Sequence, residues 1–292
     1  MSSKPSCNLF GLINVLKPPG MTAHDVVAAM RRRLGTKKVG HAGTLDPVAC
    51  GVLPVAVGGA TRLLPYLESG KEYLAEIQFG VATSTADAEG EVLEAVDCEL
   101  SAEDLSGVLP RFTGTIQQRP PMVSAVHYQG KRLYELARAG VVVEDIPLRE
   151  VTIQELELVR WYPGSRPRAL VRVACSAGTY IRSLAVDLGA ALGVPASLAY
   201  LLRTRAGSFR IEAAVTLDEE IAWAPEDVYL SHLVRREATE QEVQDISHGR
   251  ALVAHDEPSG TQVRVHHGDR LLAIYERRAG LLTPMTVFAA QT

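Results

Sequence analysis

Apolar residues recur along this chain in several rhythms, and each change of rhythm marks an element. Gly11 to Val15 is a short apolar run that reads as a strand, broken by Lys17-Pro18-Pro19-Gly20. Val26, Val27, Met30 and Leu34 then fall at helical spacing. Thr22 stands at the cap of that helix, Asp25 completes a capping box, and Gly35 stops it. Val52 to Val57 is continuously apolar, as in a strand buried on both faces. Ala60 to Leu67 gives one or two helical turns. Lys71 to Phe79 alternates, with Tyr73, Ala75, Ile77 and Phe79 on one face. Ser101 opens a helix predicted to run through Phe112, with Leu105, Val108 and Phe112 as its apolar stripe. Glu150 to Val159 and Ala169 to Ser176 read as two strands, followed by a helix through Leu188 with Gly189 and Gly193 near its end. Thr216-Leu-Asp-Glu219 has the form of a capping box and predicts another helix. From about Ser231 the texture becomes β-rich. Val263/Val265, Leu271/Ala273/Tyr275 and Leu281/Val287 look like short strands joined at His267-Gly-Asp269 and Ala279-Gly280.

Composition narrows the class without naming a function. The 292 residues are enough for two domains, and 47% hydrophobic with 22% charged is ordinary for a globular protein. No apolar stretch is long enough for a membrane span, and Met1 to Phe10 lacks the apolar core of a signal peptide. Cys7, Cys50, Cys98 and Cys175 are scattered, which fits neither a disulfide framework nor a zinc site and suits a reducing, cytoplasmic setting. A net charge of -4 argues mildly against a nucleic-acid partner, but the charge is segregated. Val81 to Pro110 holds eight acidic residues and no basic one, whereas Arg31 to Lys38 holds five basic residues and no acidic one. An RNA responds to the local field rather than the sum. Arg31-Arg32-Arg33 is equally what a solvated helix end favoured by the helix dipole looks like.

The candidate chemistry centres on Val39 to Leu67, where Asp46 sits in Leu45-Asp46-Pro47 between Gly40, Gly43 and Gly51. Pro47 fixes its own φ and pushes Asp46 away from helical geometry, so the carboxylate is held on a constrained loop that runs into the apolar strand. Turn chemistry alone would explain an isolated Asp-Pro. The whole run Gly40-His41-Ala-Gly-Thr-Leu-Asp-Pro-Val-Ala-Cys-Gly-Val-Leu-Pro54 closely resembles the segment that carries the catalytic aspartate in pseudouridine synthases of the TruB type.

That resemblance extends well over Gly11 to Thr216 and loosely beyond. It implies an α+β fold: a mixed, largely antiparallel central sheet flanked by helices, the pseudouridine synthase fold. The catalytic domain would span residues 8–230 and a small β-rich PUA-like RNA-binding domain residues 231–292. It implies a cofactor-free isomerisation of one uridine in the T-loop of tRNA (position 55) to pseudouridine, with Asp46 as nucleophile or base. The Gly178-Thr-Tyr-Ile-Arg182 motif would supply Arg182 to pair with Asp46 and Tyr180 to contact the uracil. A guanidinium there would favour the ionised carboxylate. Tyr73 and Leu201 stand at positions that meet the base, and His41 at one that holds the flipped-out RNA; Tyr73 and Leu201 are equally readable as plain core, His41 as loop packing. Lys17 would support the catalytic loop. At the polar loop Thr83 to Gly90 the chain keeps Asp87 and Gly90 but has Ser84 where the family usually has Asp, a departure placed in an accessory loop.

Residues 117–146 form the second informative region. Arg119, Lys131, Arg132 and Arg138 alternate with His127, Tyr128 and Tyr134, which pairs cations for phosphates with rings for unstacked bases. An amphipathic helix with ordinary surface charge would look similar. The resemblance makes this stretch the insertion of tRNA-specific members, with Arg119, Lys131 and Arg132 as RNA contacts. The implied partner is tRNA, with no obligate protein partner and a monomeric state.

No metal constellation or phosphate-cradling glycine motif is visible, and His266-His267 reads as a surface turn without an acidic or thiol partner. Uridine isomerisation needs neither metal nor nucleotide energy. Two rivals remain: an RNA-guided subunit acting on ribosomal RNA, and a tRNA-binding folding factor without catalysis. A retaining glycosidase is more distant, since no second carboxylate is evident beside Asp46.

Overall fold

The computed structural model describes residues 9–124, 126–141, 143 and 145–288. The expectations for Met1 to Asn8, including the missing signal-peptide core, and the placement of Cys7 lie outside the described residues. Strand β1 (Phe10–Lys17) leads into helix α1 (Ala23–Leu34), the short β2 (Val39–His41) and β3 (Cys50–Gly58). A 3-10 helix at Gly59–Tyr66 connects to β4 (Lys71–Phe79), followed by the hairpin strands β5 (Val81–Thr83) and β6 (Val92–Ala95), helix α2 (Ala102–Val108) and β7 (Gly114–Gln118). The next segment holds the two-residue strands β8 (His127–Tyr128) and β9 (Lys131–Arg132) and helix α3 (Leu133–Arg138). The long strands β10 (Arg149–Tyr162) and β11 (Arg168–Cys175), helix α4 (Ile181–Ala191), β12 (Ala196–Ala206), β13 (Phe209–Arg210) and β14 (Trp223–Ala224) come next. The chain ends with α5 (Glu226–Tyr229), β15 (Val234–Glu237), α6 (Glu240–Ser247), β16 (Leu252–Val253), β17 (Gln262–His267), β18 (Arg270–Arg278) and β19 (Leu281–Val287).

Two sheets organise these elements. The larger runs β14-β1-β3-β12-β4-β11-β10-β7, with β2 added to β3 and β13 to β12. Every pairing in it is antiparallel except the short contact of β3 with β12, so the sheet is mixed and largely antiparallel, as expected. The smaller, five-stranded sheet runs β15-β17-β18-β19-β16. Alternation along β4 buries Tyr73, Ala75, Ile77 and Phe79 against Val171, Val173 and the α4 residues Ile181, Leu184 and Leu188. Helix α1 covers another part of the sheet with Val26, Val27 and Met30. A third cluster joins the sheets, packing Leu12, Val52 and Leu63 with Tyr229, Leu271, Ile274 and Phe288. No helix among the described residues is long and apolar enough to cross a membrane.

The parallel contact anchors the Asp46 loop, because β3 begins only four residues after that carboxylate. Cys50 faces Leu202 and Gly51 faces Arg203. Gly51 has φ +113°, and a Cβ there would lie 2.2 Å from the Arg203 carbonyl oxygen. Only glycine lets the two backbones approach this closely.

Three sequence expectations are corrected. Helix α2 stops at Val108 and continues as a 3-10 turn over Leu109–Phe112, because Pro110 has no N–H to give to the α-helical ladder. Thr216 N–H does donate to the Glu219 carboxylate at 2.6 Å, but no helix follows. The Arg33 guanidinium takes the Leu217 and Glu219 carbonyls, which a helix would need for its first bonds, and Trp223–Ala224 join the sheet beside β1. His266 is not on a surface turn: it is buried in β17 with Nε2 against the Glu226 carboxylate, while His267 Nε2 lies 3.5 Å from Glu240. Its acidic partner comes from 40 positions upstream, beyond the reach of local reading.

The Gly51 contact predicts a divergent pair of substitutions. Gly51→Ala should lower stability by at least about 2 kcal/mol through strain at positive φ and collision with β12. Gly107→Ala, in α2 with open space around it, should raise it by up to about 1 kcal/mol. Urea unfolding followed by far-UV circular dichroism reads both; a Gly51→Ala midpoint equal to the parent's would contradict the packing.

Candidate active site

The loop between β2 and β3 is fixed from behind by two cations that use backbone carbonyls as partners. Lys17 is fully buried at the end of β1. Its ammonium donates to the carbonyls of Pro18 at 2.9 Å, Pro47 at 3.1 Å and Met21. Arg203, fully buried on β12, donates to the carbonyls of Val52 at 2.7 Å, Gly43 at 3.0 Å and Thr44 at 3.2 Å. Gly20 N–H adds a bond to the Pro47 carbonyl at 2.8 Å, and Ala49 N–H closes a turn onto the Asp46 carbonyl at 3.1 Å. Burial pushes the Lys17 ammonium below the ordinary lysine range, partly offset by the neighbouring Cys50 and Asp46. The supporting place read for Lys17 in the sequence is where the structure puts it.

In front of this frame, Asp46 meets Arg182 from the first turn of α4. Arg182 Nη2 lies 3.0 Å from Asp46 Oδ2, and the arginine side chain is 5% exposed against 38% for the aspartate. The guanidinium is held by the Val123 carbonyl at 2.8 Å and the Thr85 carbonyl at 3.3 Å. It also lies 3.6 Å from Asp87, whose side chain is only 6% exposed. Asp87 is itself oriented by the Thr85 hydroxyl and by Glu89 N–H at 3.1 Å. One buried cation therefore serves two carboxylates. Burial raises the Asp46 carboxyl above the ordinary aspartate range; Arg182 pulls it back, and the Asp87 charge pushes it up again. Arg182 thus acts in the expected direction, but desolvation outweighs it.

Asp46 and Arg182 open into a cavity of about 230 Å³ that is also lined by Tyr73, Tyr180, Leu201 and Thr179. All five residues that the sequence placed around the base or its carboxylate share this one space: Asp46, Tyr73, Tyr180, Arg182 and Leu201. Burial pushes the Tyr73 phenol up to about 12, so it stays neutral in the wall. Tyr180 caps α4 through its backbone, its N–H donating to Gln118 Oε1 at 2.7 Å and its carbonyl accepting from Gln118 Nε2 at 3.0 Å. Ser124 also lines the cavity, and its buried hydroxyl has no partner among the described residues.

The remaining named residues lie elsewhere. His41, at the end of β2, is not among the residues that line this cavity. It packs edge-on against His24 with ring centroids 5.6 Å apart, and burial, reinforced by His24, lowers its pKa. Arg119 sits at the base of the insertion: its guanidinium donates to the Ile146 carbonyl at 3.0 Å, and its own carbonyl accepts from Ser183 on α4 at 2.7 Å. Lys131 and Arg132 are exposed on the β8–β9 hairpin. The insertion has a small core of Val126, Leu133 and Ile146, against which Tyr180 also packs.

Sequence reading misses Asp87 as a partner of Arg182, and with it Gln118, Val123 and Ser124. Asp87 stands out within its own loop, but no spacing ties position 87 to 46 or 182. Among the described residues no group of three or more His, Cys, Asp or Glu is placed to hold a metal ion.

Comparison with known proteins now identifies the family. Residues 31–181 match the model of the TruB family pseudouridylate synthase N-terminal domain, and residues 182–235 the model of the tRNA pseudouridylate synthase B C-terminal domain. The tRNA pseudouridine synthase B of Moorella thermoacetica is 59% identical over 219 residues, covering 74% of this chain and 71% of that protein. The one from Synechococcus is 45% identical over 289 residues, covering 96% of this chain and 98% of its own. Among solved structures, a chain of an H/ACA ribonucleoprotein bound to a substrate RNA containing 2′-deoxyuridine superposes with a TM-score of 0.71 at 28% identity, covering 96% of this chain and 85% of that one. The fold, the paired Asp46 and Arg182, and relatives matched along nearly the whole length agree: the chain belongs to the TruB family of pseudouridylate synthases, and it is an enzyme of that family.

Proposed function

We propose that this enzyme isomerises one uridine in the T-loop of tRNA (position 55) to pseudouridine, without a cofactor, with Asp46 as the reacting carboxylate. The observation that carries the reading is the Asp46–Arg182 pair at 3.0 Å in a cavity walled by Tyr73, Tyr180 and Leu201. A base that is to react must leave its stack, and such walls replace the stacking it gives up. The guanidinium orients the carboxylate and favours its charged form, in which it acts as nucleophile or as base on the sugar. The N-glycosidic bond breaks, the uracil turns in the cavity, and C5 bonds to the same sugar carbon; C5 gives up its proton and N1 gains one, so no atom is gained or lost overall. In this reading Lys131, Arg132 and the rings of Tyr128 and Tyr134 on the insertion grip the RNA, Arg119 anchors that insertion, and His41 braces the flipped-out strand. Residues 231–292 serve as a PUA-like RNA-binding domain beside the catalytic domain of residues 8–230. The enzyme works as a monomer in the cytoplasm, with tRNA as its partner. The H/ACA likeness keeps an RNA-guided mode in view. The higher identity to synthases named for tRNA and the insertion with its own core favour direct binding, so the purified protein should convert bare tRNA.

Asp46→Asn should reduce single-turnover conversion by at least about a hundredfold while filter binding of tRNA stays close to the parent's. Substantial turnover by that variant would remove Asp46 from the chemistry.

The pH profile follows from the raised Asp46 carboxyl. Activity needs the charged form, so it is lost as pH falls through a value above the ordinary aspartate range. Asp87→Asn removes a charge that pushes this value up, so the acidic limb of kcat/KM should move to lower pH even as the rate falls from a loosened Arg182. A limb that stays put or moves up would show that Asp87 does not bear on the Asp46 charge.

A further inference from the structure

Lys71, the first residue of β4, lies at the border of two cavities. It lines the Asp46 cavity, and it also lines a neighbouring one of about 190 Å³ that runs past Gly43, Gly70 and Gly207 to Leu67 and Phe209. The loop residues Gly43 and Thr44 divide in the same way, one on each side. Lys71 and Arg203 converge on this border: a Cβ built on Gly43 would lie 3.3 Å from Lys71 Nζ and 3.5 Å from Arg203 Nη1.

The charges at the border are unbalanced. Arg203 spends its bonds on neutral carbonyls. Among the described residues no carboxylate forms an ion pair with Lys71; the charge that bears on it is that of Arg203, while burial pushes the neighbouring Cys175 thiol up and keeps it neutral. Burial, reinforced by Arg203, holds the Lys71 ammonium below the ordinary lysine range. The carboxylate in the wall of the second cavity, Glu68, is engaged by the Ser208 hydroxyl. A lysine ammonium that lines the cavity without a carboxylate partner, next to a backbone bare of side chains and in the positive field of the buried Arg203, suits a phosphate. The apolar wall of Leu64, Leu67, Phe209 and Tyr229 beyond it suits a ribose or a base.

We propose that Lys71 binds the phosphate joining the target uridine to its neighbour in the RNA, and that the second cavity receives that neighbouring nucleotide. The inference rests on the reading that Asp46 acts on a flipped-out uridine. It makes Lys71 a positioning residue, which fixes the sugar against Asp46 by holding the strand on one side of it.

The test measures binding of the full-length protein to T-loop RNA as a function of salt, for the parent, Lys71→Met and Lys71→Arg. Losing one phosphate contact on a single strand should lower the slope of log K against log salt by about 0.7, and Lys71→Arg should restore it. A packing role would change affinity without changing the slope. In parallel, the phosphates on the two sides of the target are made neutral one at a time as methylphosphonates. The parent should lose affinity on one side, and Lys71→Met should lose none there. An unchanged slope in Lys71→Met, or equal methylphosphonate losses in both proteins, overturns the proposal. The parent alone gives a reading that does not depend on any variant folding: no loss on either side overturns it as well. Conversion of the unmodified RNA by the parent is scored separately. Its absence would strike the assigned reaction, whereas the slope is read on binding alone.

Discussion

The site depends on two buried cations, Lys17 and Arg203, whose hydrogen-bond partners at the Asp46 loop are backbone carbonyls rather than carboxylates. They reach that loop from β1 and β12, and there they take the carbonyls of Gly43, Thr44 and Pro47. A buried charge without such partners would cost several kcal/mol. Those carbonyls belong to a loop with almost no regular structure, so satisfying the charges and ordering the loop are one event. The loop cannot drift without leaving a cation stranded in the core, which holds an irregular segment, and Asp46 with it, in one place.

Ahead of that frame the electrostatics are set by an imbalance of the opposite sign. Asp46 and Asp87 face a single guanidinium. Arg182 cannot neutralise both, and the more exposed of the two, Asp46, is the one that opens into the cavity. The insertion enters the same arrangement. The Val123 carbonyl aims the guanidinium, Ser124 reaches the cavity wall, and Tyr180 packs on both the cavity and the insertion's core. A segment that reads from sequence as a separate clamp therefore supplies part of the cavity that it would load.

Where the sequence was legible, local physics was decisive. The alternation of Lys71 to Phe79, the unbroken apolar run after Gly51 and the Thr22–Asp25 box are all found as read, because burial on one face, burial on both faces and capping each leave a short-range mark. Asp46 and Arg182 could be paired only through the family resemblance, since nothing in the intervening 135 positions encodes their meeting. The failures share one cause. The Thr216–Glu219 box makes its own bond but loses its helix to Arg33, nearly two hundred residues upstream, and His266 is buried by Glu226 from another element. Asp87 reads as part of an accessory loop because its partner, Arg182, arrives from α4. In each case a distant residue decided the outcome, and the local pattern carried no trace of it.

The short parallel contact between β3 and β12 sets an order of events in the making of the protein. Cys50 and Gly51 acquire their partners Leu202 and Arg203 only after about 150 further residues have been added. A pairing so distant along the chain forms late, because the loop it closes is long. During synthesis, when domains gather from the N-terminus onward, the growing polypeptide carries Asp46 long before the arginine that pins its loop. The carboxylate thus gains its brace from Arg203 only once β12 has been made, and a chain that ends short of β12 lacks that brace.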